Sequence, residues 1–126
     1  MKKTEKELRL PLKKKWFGMS KSRIKTEDYR EMTSYWYSRL CLYNGIKRSQ
    51  KWWDEHFRYA FAFDEKPIEF VKFTQNTMTL GYPKKGDAER ILKLKHKGIE
   101  IRTGNPEWGA EPNKIYFVIL HGEIVD

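Results

Sequence analysis

The chain has one cysteine, no long apolar run and a shortage of acidic charge. Cys41 sits alone between Leu40 and Leu42, so neither an internal disulfide nor a cysteine-built zinc site can form. Nowhere is there a stretch of about 18 apolar residues that would cross a bilayer. The basic start is not followed by the apolar segment of about 7–15 residues that a secretory signal carries. These absences point to a cytoplasmic location with no membrane partner. The short cluster Asp54-Glu55-His56 lacks a further ligand at metal-binding spacing, and Gly104 and Gly109 lie too far from any strand-to-helix junction to cradle a phosphate. No metal and no cofactor is expected.

Positive charge is what the chain has in excess. Across 126 residues, a length suited to one domain, 26 Lys and Arg face 17 Asp and Glu for a net +9. Residues 1–30 hold eleven basic and four acidic groups, seven of those nine net charges, while the last two dozen residues lean acidic. A polarised molecule of this kind favours an anionic partner on one face, most commonly nucleic acid. A mean hydropathy of −0.84 also allows the plainer reading that the lysines serve solubility.

Periodicity places the elements. Residues 1–7 read as a frayed start, and Leu8, Leu10 and Leu12 alternate with polar neighbours as a first strand ending near Pro11. Lys13 to Ser22 reads as a short amphipathic helix that Gly18 weakens. Lys47, Arg48 and Lys51 beside Trp52 and Trp53 open a helix within 46–63, a possible insert. Its tryptophans suit a core better than base stacking. A turn at Asp64-Glu65-Lys66-Pro67 precedes strands at Ile68–Thr74, Thr77–Tyr82 and Ile91–Arg102, the last interrupted by a bulge or tip at His96-Lys97-Gly98. Ile115–Leu120 is the most apolar run and the best strand. Helices first and strands later indicate one α+β domain with a curled, mostly antiparallel sheet.

The densest signal is Lys25-Thr26-Glu27-Asp28-Tyr29-Arg30. Tyr29, Met32, Trp36, Leu40 and Tyr43 keep helical spacing, Thr26 can cap, and Asn44-Gly45 can stop a helix over 27–43. The rival is a strand at 26–31, a turn, and a helix over 35–42. Pattern alone favours the long helix over 27–43, though periodicity does not settle the choice. On a strand, Thr26, Asp28 and Arg30 share a face, and Lys25 joins them only from a bent strand start.

Four ordered pieces resemble the ASCH domain family of the PUA-like superfamily: Leu10-Pro11-Leu12-Lys13, the run Lys25–Arg30, the loop Gly104-Asn105-Pro106-Glu107-Trp108-Gly109-Ala110, and Phe117–Ile124. The family pattern is Gly, any residue, Lys, two residues, Glu, any residue, Arg. Lys25 and Arg30 match it, Asp28 stands in for the Glu, and Arg23 replaces the Gly. Residues 46–63 have no counterpart. The resemblance implies a small PUA-like, mostly antiparallel β-barrel with flanking helices and an RNA- or nucleoside-binding cleft around Lys25, Asp28 and Arg30. It also implies a hydrolase alternative. N4-acetylcytidine amidohydrolases of similar outline use a Thr where this chain has Asp28, and a metal-independent ribonuclease activity has been associated with the family.

In a pocket, Lys25 and Asp28 are the candidate acid and base, and Arg30 a phosphate or carboxylate clamp; a salt-bridged surface patch is the plain alternative. Trp108 can close over a base, with Glu107 reading an exocyclic amine or acting in catalysis. Lys13, Lys14, Lys15, Lys21 and Arg23 would hold nucleic-acid backbone without sequence choice. His56, His96 and His121 are unpaired by spacing and read as ordinary. A protein-interaction module using the Trp-rich insert is the third alternative.

Overall fold

The computed structural model describes residues 6–60 and 68–125. Among them the elements in chain order are β1 (Glu7–Leu12), α1 (Lys14–Lys21), β2 (Glu27–Arg30), α2 (Ser34–Leu40), β3 (Cys41–Tyr43), β4 (Ile46–Lys47), α3 (Gln50–Ala60), β5 (Ile68–Phe70), β6 (Gln75–Leu80), β7 (Ile91–Thr103) and β8 (Ile115–Ile124). The class is α+β, with a curled, mostly antiparallel five-stranded sheet that makes half a barrel. The chain divides into two compact units, Met1–Tyr29 with Lys72–Asp126, and Arg30–Val71. Of the start expected to be frayed, residues 1–5 lie outside the described residues, as does the turn at Asp64–Pro67, whereas Glu7 already belongs to β1 and Lys6 O accepts from Thr74 N–H.

The first unit is built on the sheet β1-β6-β7-β8-β2. Leu8, Leu10 and Leu12 of β1 point inward, as their alternation requires, and are buried. β1 runs parallel to β6, with Leu10 opposite Met78, while β6–β7 and β7–β8 are antiparallel. Pro11 does not end β1, because an edge strand tolerates a missing N–H. β6 and β8 each bury four residues in succession, Asn76–Thr79 and Tyr116–Ile119, as strands covered on both faces do. Each fully buried Leu, Ile or Phe here contributes roughly 1.5–3 kcal/mol relative to exposure. The bulge expected at residues 96–98 is present as two register shifts, which set His96 directly across from His121.

The long helix over 27–43 does not form; the alternative, a strand at Glu27–Arg30 followed by a shorter helix, does. α2 begins only at Ser34, where the Thr33 hydroxyl, not Thr26, accepts the Trp36 N–H at 3.3 Å. Asn44 and Gly45, with φ of 55° and 74°, make a two-residue hairpin turn between β3 and β4 in place of a helix stop. The apolar run 68–74 is likewise split. Val71 N–H donates to Leu40 O in the second unit, while Thr74 N–H donates to Lys6 O in the first. Trp53 is fully buried against Tyr37, ring centroids 5.0 Å apart. The core reading of that tryptophan therefore holds.

The loop after β7 is tied to the first unit by two tyrosines. Asn105 N–H donates to Tyr29 Oη at 2.8 Å, Glu111 N–H to Tyr116 Oη at 2.9 Å, and the two rings lie 5.6 Å apart. A Cβ at Gly104 would lie 2.5 Å from the Tyr29 ring and 2.8 Å from the Ala110 methyl. Because Tyr29 is held at its ring and its hydroxyl, it cannot swing away. Gly104→Ala should lower unfolding free energy by about 1–3 kcal/mol, measured by urea denaturation. An unchanged midpoint would show that the loop yields.

Candidate functional site

The site begins with the way α1 ends. Arg23 takes the left-handed conformation, φ 67°, with its N–H on Ser20 O, while Ile24 N–H and Lys25 N–H both donate to Met19 O at 3.0 Å. This Schellman-type closure reverses the chain and delivers Lys25 just ahead of β2. That is the bent strand start that Lys25 needs. Its ammonium, 1% exposed, pairs with Asp28 Oδ1 three residues on.

Asp28 is shared. Its Oδ2 accepts from His121 Nε2 at 2.6 Å, and His121 Nδ1 lies 2.8 Å from Asn76 Nδ2. The same amide nitrogen reaches Leu120 O at 3.1 Å, and Asn76 Oδ1 meets His96 Nδ1 at 2.7 Å. A backbone carbonyl only accepts, so the Leu120 contact fixes which end of the Asn76 amide carries hydrogen. The donors then run one way. His96 Nδ1–H donates to Asn76 Oδ1, Asn76 Nδ2–H to His121 Nδ1, and His121 Nε2–H to Asp28.

Burial and charge set the proton affinities. Burial opposes a charged Asp28, but the His121 hydrogen bond and the Lys25 charge outweigh it and bring its pKa down to about 2. Burial first, and His121 second, push His96 down to about 4. A second cluster lies nearby in sequence, where Glu27 accepts from Arg102 Nη2 at 2.7 Å and from Tyr29 Oη at 2.6 Å. There burial again opposes the charge, yet the Arg102 and Tyr29 bonds hold the Glu27 carboxyl below its usual range.

A carboxylate between an imidazole and an ammonium is a set of groups suited to acid and base work. Here Asp28 is 3% exposed and His121 7%, so the set is enclosed and His96, half-buried at the bulge, is its outermost member. The other expected residues are distributed. Arg30 belongs to the second unit, its guanidinium 5.3 Å from the Trp36 ring. Trp108 is half-buried and Glu107 exposed on the turn Pro106–Trp108. Lys13, Lys14, Lys15, Lys21 and Arg23 are all exposed around α1, and among the described residues no carboxylate pairs with them. Trp16 of the same helix rests on Gly109, where an added Cβ would lie 3.0 Å from its ring. The helix lysines and the Trp108 turn are therefore neighbours.

Sequence reasoning does not bring Asn76, His96 and His121 to the site. The signal it offers is a polar residue inside or at the end of a buried strand, Asn76 beside Met78 and His121 closing the apolar run of β8. Among the described residues no three His, Cys, Asp or Glu side chains gather to hold a metal, and no helix is long and apolar enough to cross a membrane. No protein-family model, curated protein or solved structure matches the chain.

Removing one partner of a buried ion pair takes away the charge that compensates the other most directly. Asp28→Ala should therefore cost about 3–5 kcal/mol, and Lys25→Met with Asp28→Asn should cost less, both measured by urea unfolding. Equal losses would mean that the Lys25 charge is not the source. Both Asp28 and His96 have folded pKa values below their unfolded ones, so the unfolded chain binds more protons as pH falls and stability declines. The His96 contribution is complete above about pH 6.5 and lost toward pH 4; that of Asp28 is lost from pH 3.8 toward pH 2. His96→Gln should flatten the first segment and leave the second. A slope unaltered between pH 6.5 and 4 would remove His96 from the account.

Proposed function

We propose that the chain is an RNA-binding module of the ASCH, PUA-like kind, which holds its ligand chiefly through the basic face of α1. The observation that carries this reading is the group Lys13, Lys14, Lys15, Lys21 and Arg23, exposed and free of carboxylate partners among the described residues. Cations left unneutralised on and beside one helix attract phosphates and release counterions on binding. Two features support the family reading. Lys25–Arg30 crosses from a turn into a strand and not a helix, and Arg23, where the family pattern has Gly, has the positive φ that Gly favours. The burial of Lys25 and Asp28 gives that pair a part in shaping the strand beneath the face, and leaves phosphate contact to the outer lysines.

A hydrolase acting on the same ligands is the second reading, favoured by the Asp28–His121 contact. It requires turnover of N4-acetylcytidine or a short RNA, read by mass, that Asp28→Asn abolishes in folded protein. The enclosure of these groups makes binding the better supported of the two.

On the binding reading, the logarithm of RNA affinity falls linearly with the logarithm of salt concentration, and Lys14→Glu with Lys21→Glu flattens the slope. Arg23→Gly separates fold from binding. It relieves a left-handed residue worth roughly 1–2 kcal/mol and so should raise stability while weakening RNA binding. Salt-insensitive binding, or none to any RNA, would sink the proposal.

A further inference from the structure

Tyr82 is the most exposed large hydrophobic residue described, at 91% of its surface. Core packing gives no reason for its place. The loop that carries it is nonetheless well defined. Thr79 Oγ1 donates to Gly81 O at 2.8 Å, Asp87 N–H donates to Lys84 O at 3.1 Å, and Gly81 and Gly86 supply positive φ of 64° and 86°. An aromatic ring held in water on an ordered loop forgoes the burial of roughly 2 kcal/mol that a core position would supply.

The parallel pairing of β1 and β6 decides what lies beside it. Leu12 pairs with Leu80, and Gly81 N–H donates to Leu12 O at 3.1 Å. Because the strands run the same way, the residues that follow each one leave at the same end. After Leu12 come Lys13, Lys14 and Lys15; after Leu80 come Tyr82, Lys84 and Lys85. All six are exposed, and among the described residues none of these lysines has a carboxylate partner. Of the loop's two acidic residues, Asp87 is taken up by Arg90 at 3.5 Å, and Glu89 is exposed in the short turn Ala88–Arg90.

We propose that this end of the sheet is a track for single-stranded RNA, in which Tyr82 stacks on an unpaired base and Lys13–Lys15 with Lys84 and Lys85 hold the flanking phosphates. The inference rests on the RNA-binding reading above and adds to it the stacking residue, the second row of lysines and the strandedness of the ligand. Aromatic rings interleaved with cations select unpaired strands, because only an unstacked base offers its face. A membrane surface is the competing partner for lysines with an aromatic. One tyrosine with proline as its apolar neighbour on the loop offers little area to bury in a bilayer.

The test is fluorescence anisotropy with a labelled oligouridylate, the same strand annealed to its complement, and vesicles containing phosphatidylserine. Tyr82→Ala should weaken oligouridylate binding about tenfold with little effect on the duplex, and Tyr82→Phe should restore it. Lys84→Ala with Lys85→Ala should reduce the salt slope by about 1.4, at about 0.7 for each phosphate no longer neutralised. Circular dichroism melts check that the variants fold, as substitution at so exposed a side chain should allow. If Tyr82→Ala binds like the parent while Lys13→Ala/Lys14→Ala/Lys15→Ala loses affinity, the track is overturned and the basic-face reading stands. If the parent does not bind RNA, or the triple variant matches it, both fall. Vesicle binding that depends on Tyr82, without oligouridylate binding, replaces the track with a membrane surface.

Discussion

A lysine ammonium removed from water is tolerable only beside a negative charge, and Lys25 is almost wholly enclosed. Its pairing with Asp28 is the constraint on which the neighbourhood depends. The pair requires α1 to end in a left-handed turn at Arg23, so that Lys25 can reach back beneath β2. It also requires Asp28 to remain ionised, which the His121 hydrogen bond supports, and His121 in turn requires the Asn76 amide in one orientation. The register shifts between β7 and β8 bring His96 opposite His121 and close the chain. One buried charge therefore ties α1, β2, β6, β7 and β8 together. A half-satisfied version of this network would be worse than an apolar core, since each orphaned group would carry its full desolvation cost.

The same unit separates its charges by depth. Lys25 and Asp28 neutralise one another inside, and Glu27 is held by Arg102 and Tyr29 at the margin. What remains on the outside of α1, and at Lys84 and Lys85 of the β6–β7 loop, is positive and without a carboxylate partner among the described residues. Ion pairs elsewhere, such as Lys95–Glu123 and Lys114–Glu111, lie near the surface and contribute little to stability. The uneven charge of the sequence thus becomes a cluster of lysines where the fold brings Lys13–Lys15 and Lys84–Lys85 to one end of the sheet.

Much of this organisation was legible in the residues. The alternation of Leu8, Leu10 and Leu12, the short helix after Lys13, the bulge at 96–98 and the apolar strand beginning at Ile115 all appear where the pattern placed them. Boundaries moved where tertiary pairing overrode local preference. Leu40 and Tyr43 keep helical spacing, yet Cys41 pairs with Phe70 and Cys41–Tyr43 becomes a strand. The Asn44-Gly45 pair stops a helix or turns a hairpin with equal local ease, and pairing with β5 chose the hairpin. The candidate site was half visible. Lys25 and Asp28 stood out by charge density, but their depth did not, and Arg30 falls in the other compact unit.

By itself the sequence determined the α+β class, the excess of positive charge near its start, and the strands whose side chains alternate, because these follow from composition and short-range periodicity. Only the tertiary structure decided that Lys25–Arg30 enters a strand, that Asp28 lies between Lys25 and His121, and that Tyr82 and the lysines after two strands distant in sequence leave at one end. The physical reason is the same in each case. Pairing partners 45 to 93 residues apart, Asn76 with His121 and Asp28 with His121, leave no local trace, and the parallel direction of β1 and β6 is a property of the sheet rather than of either segment.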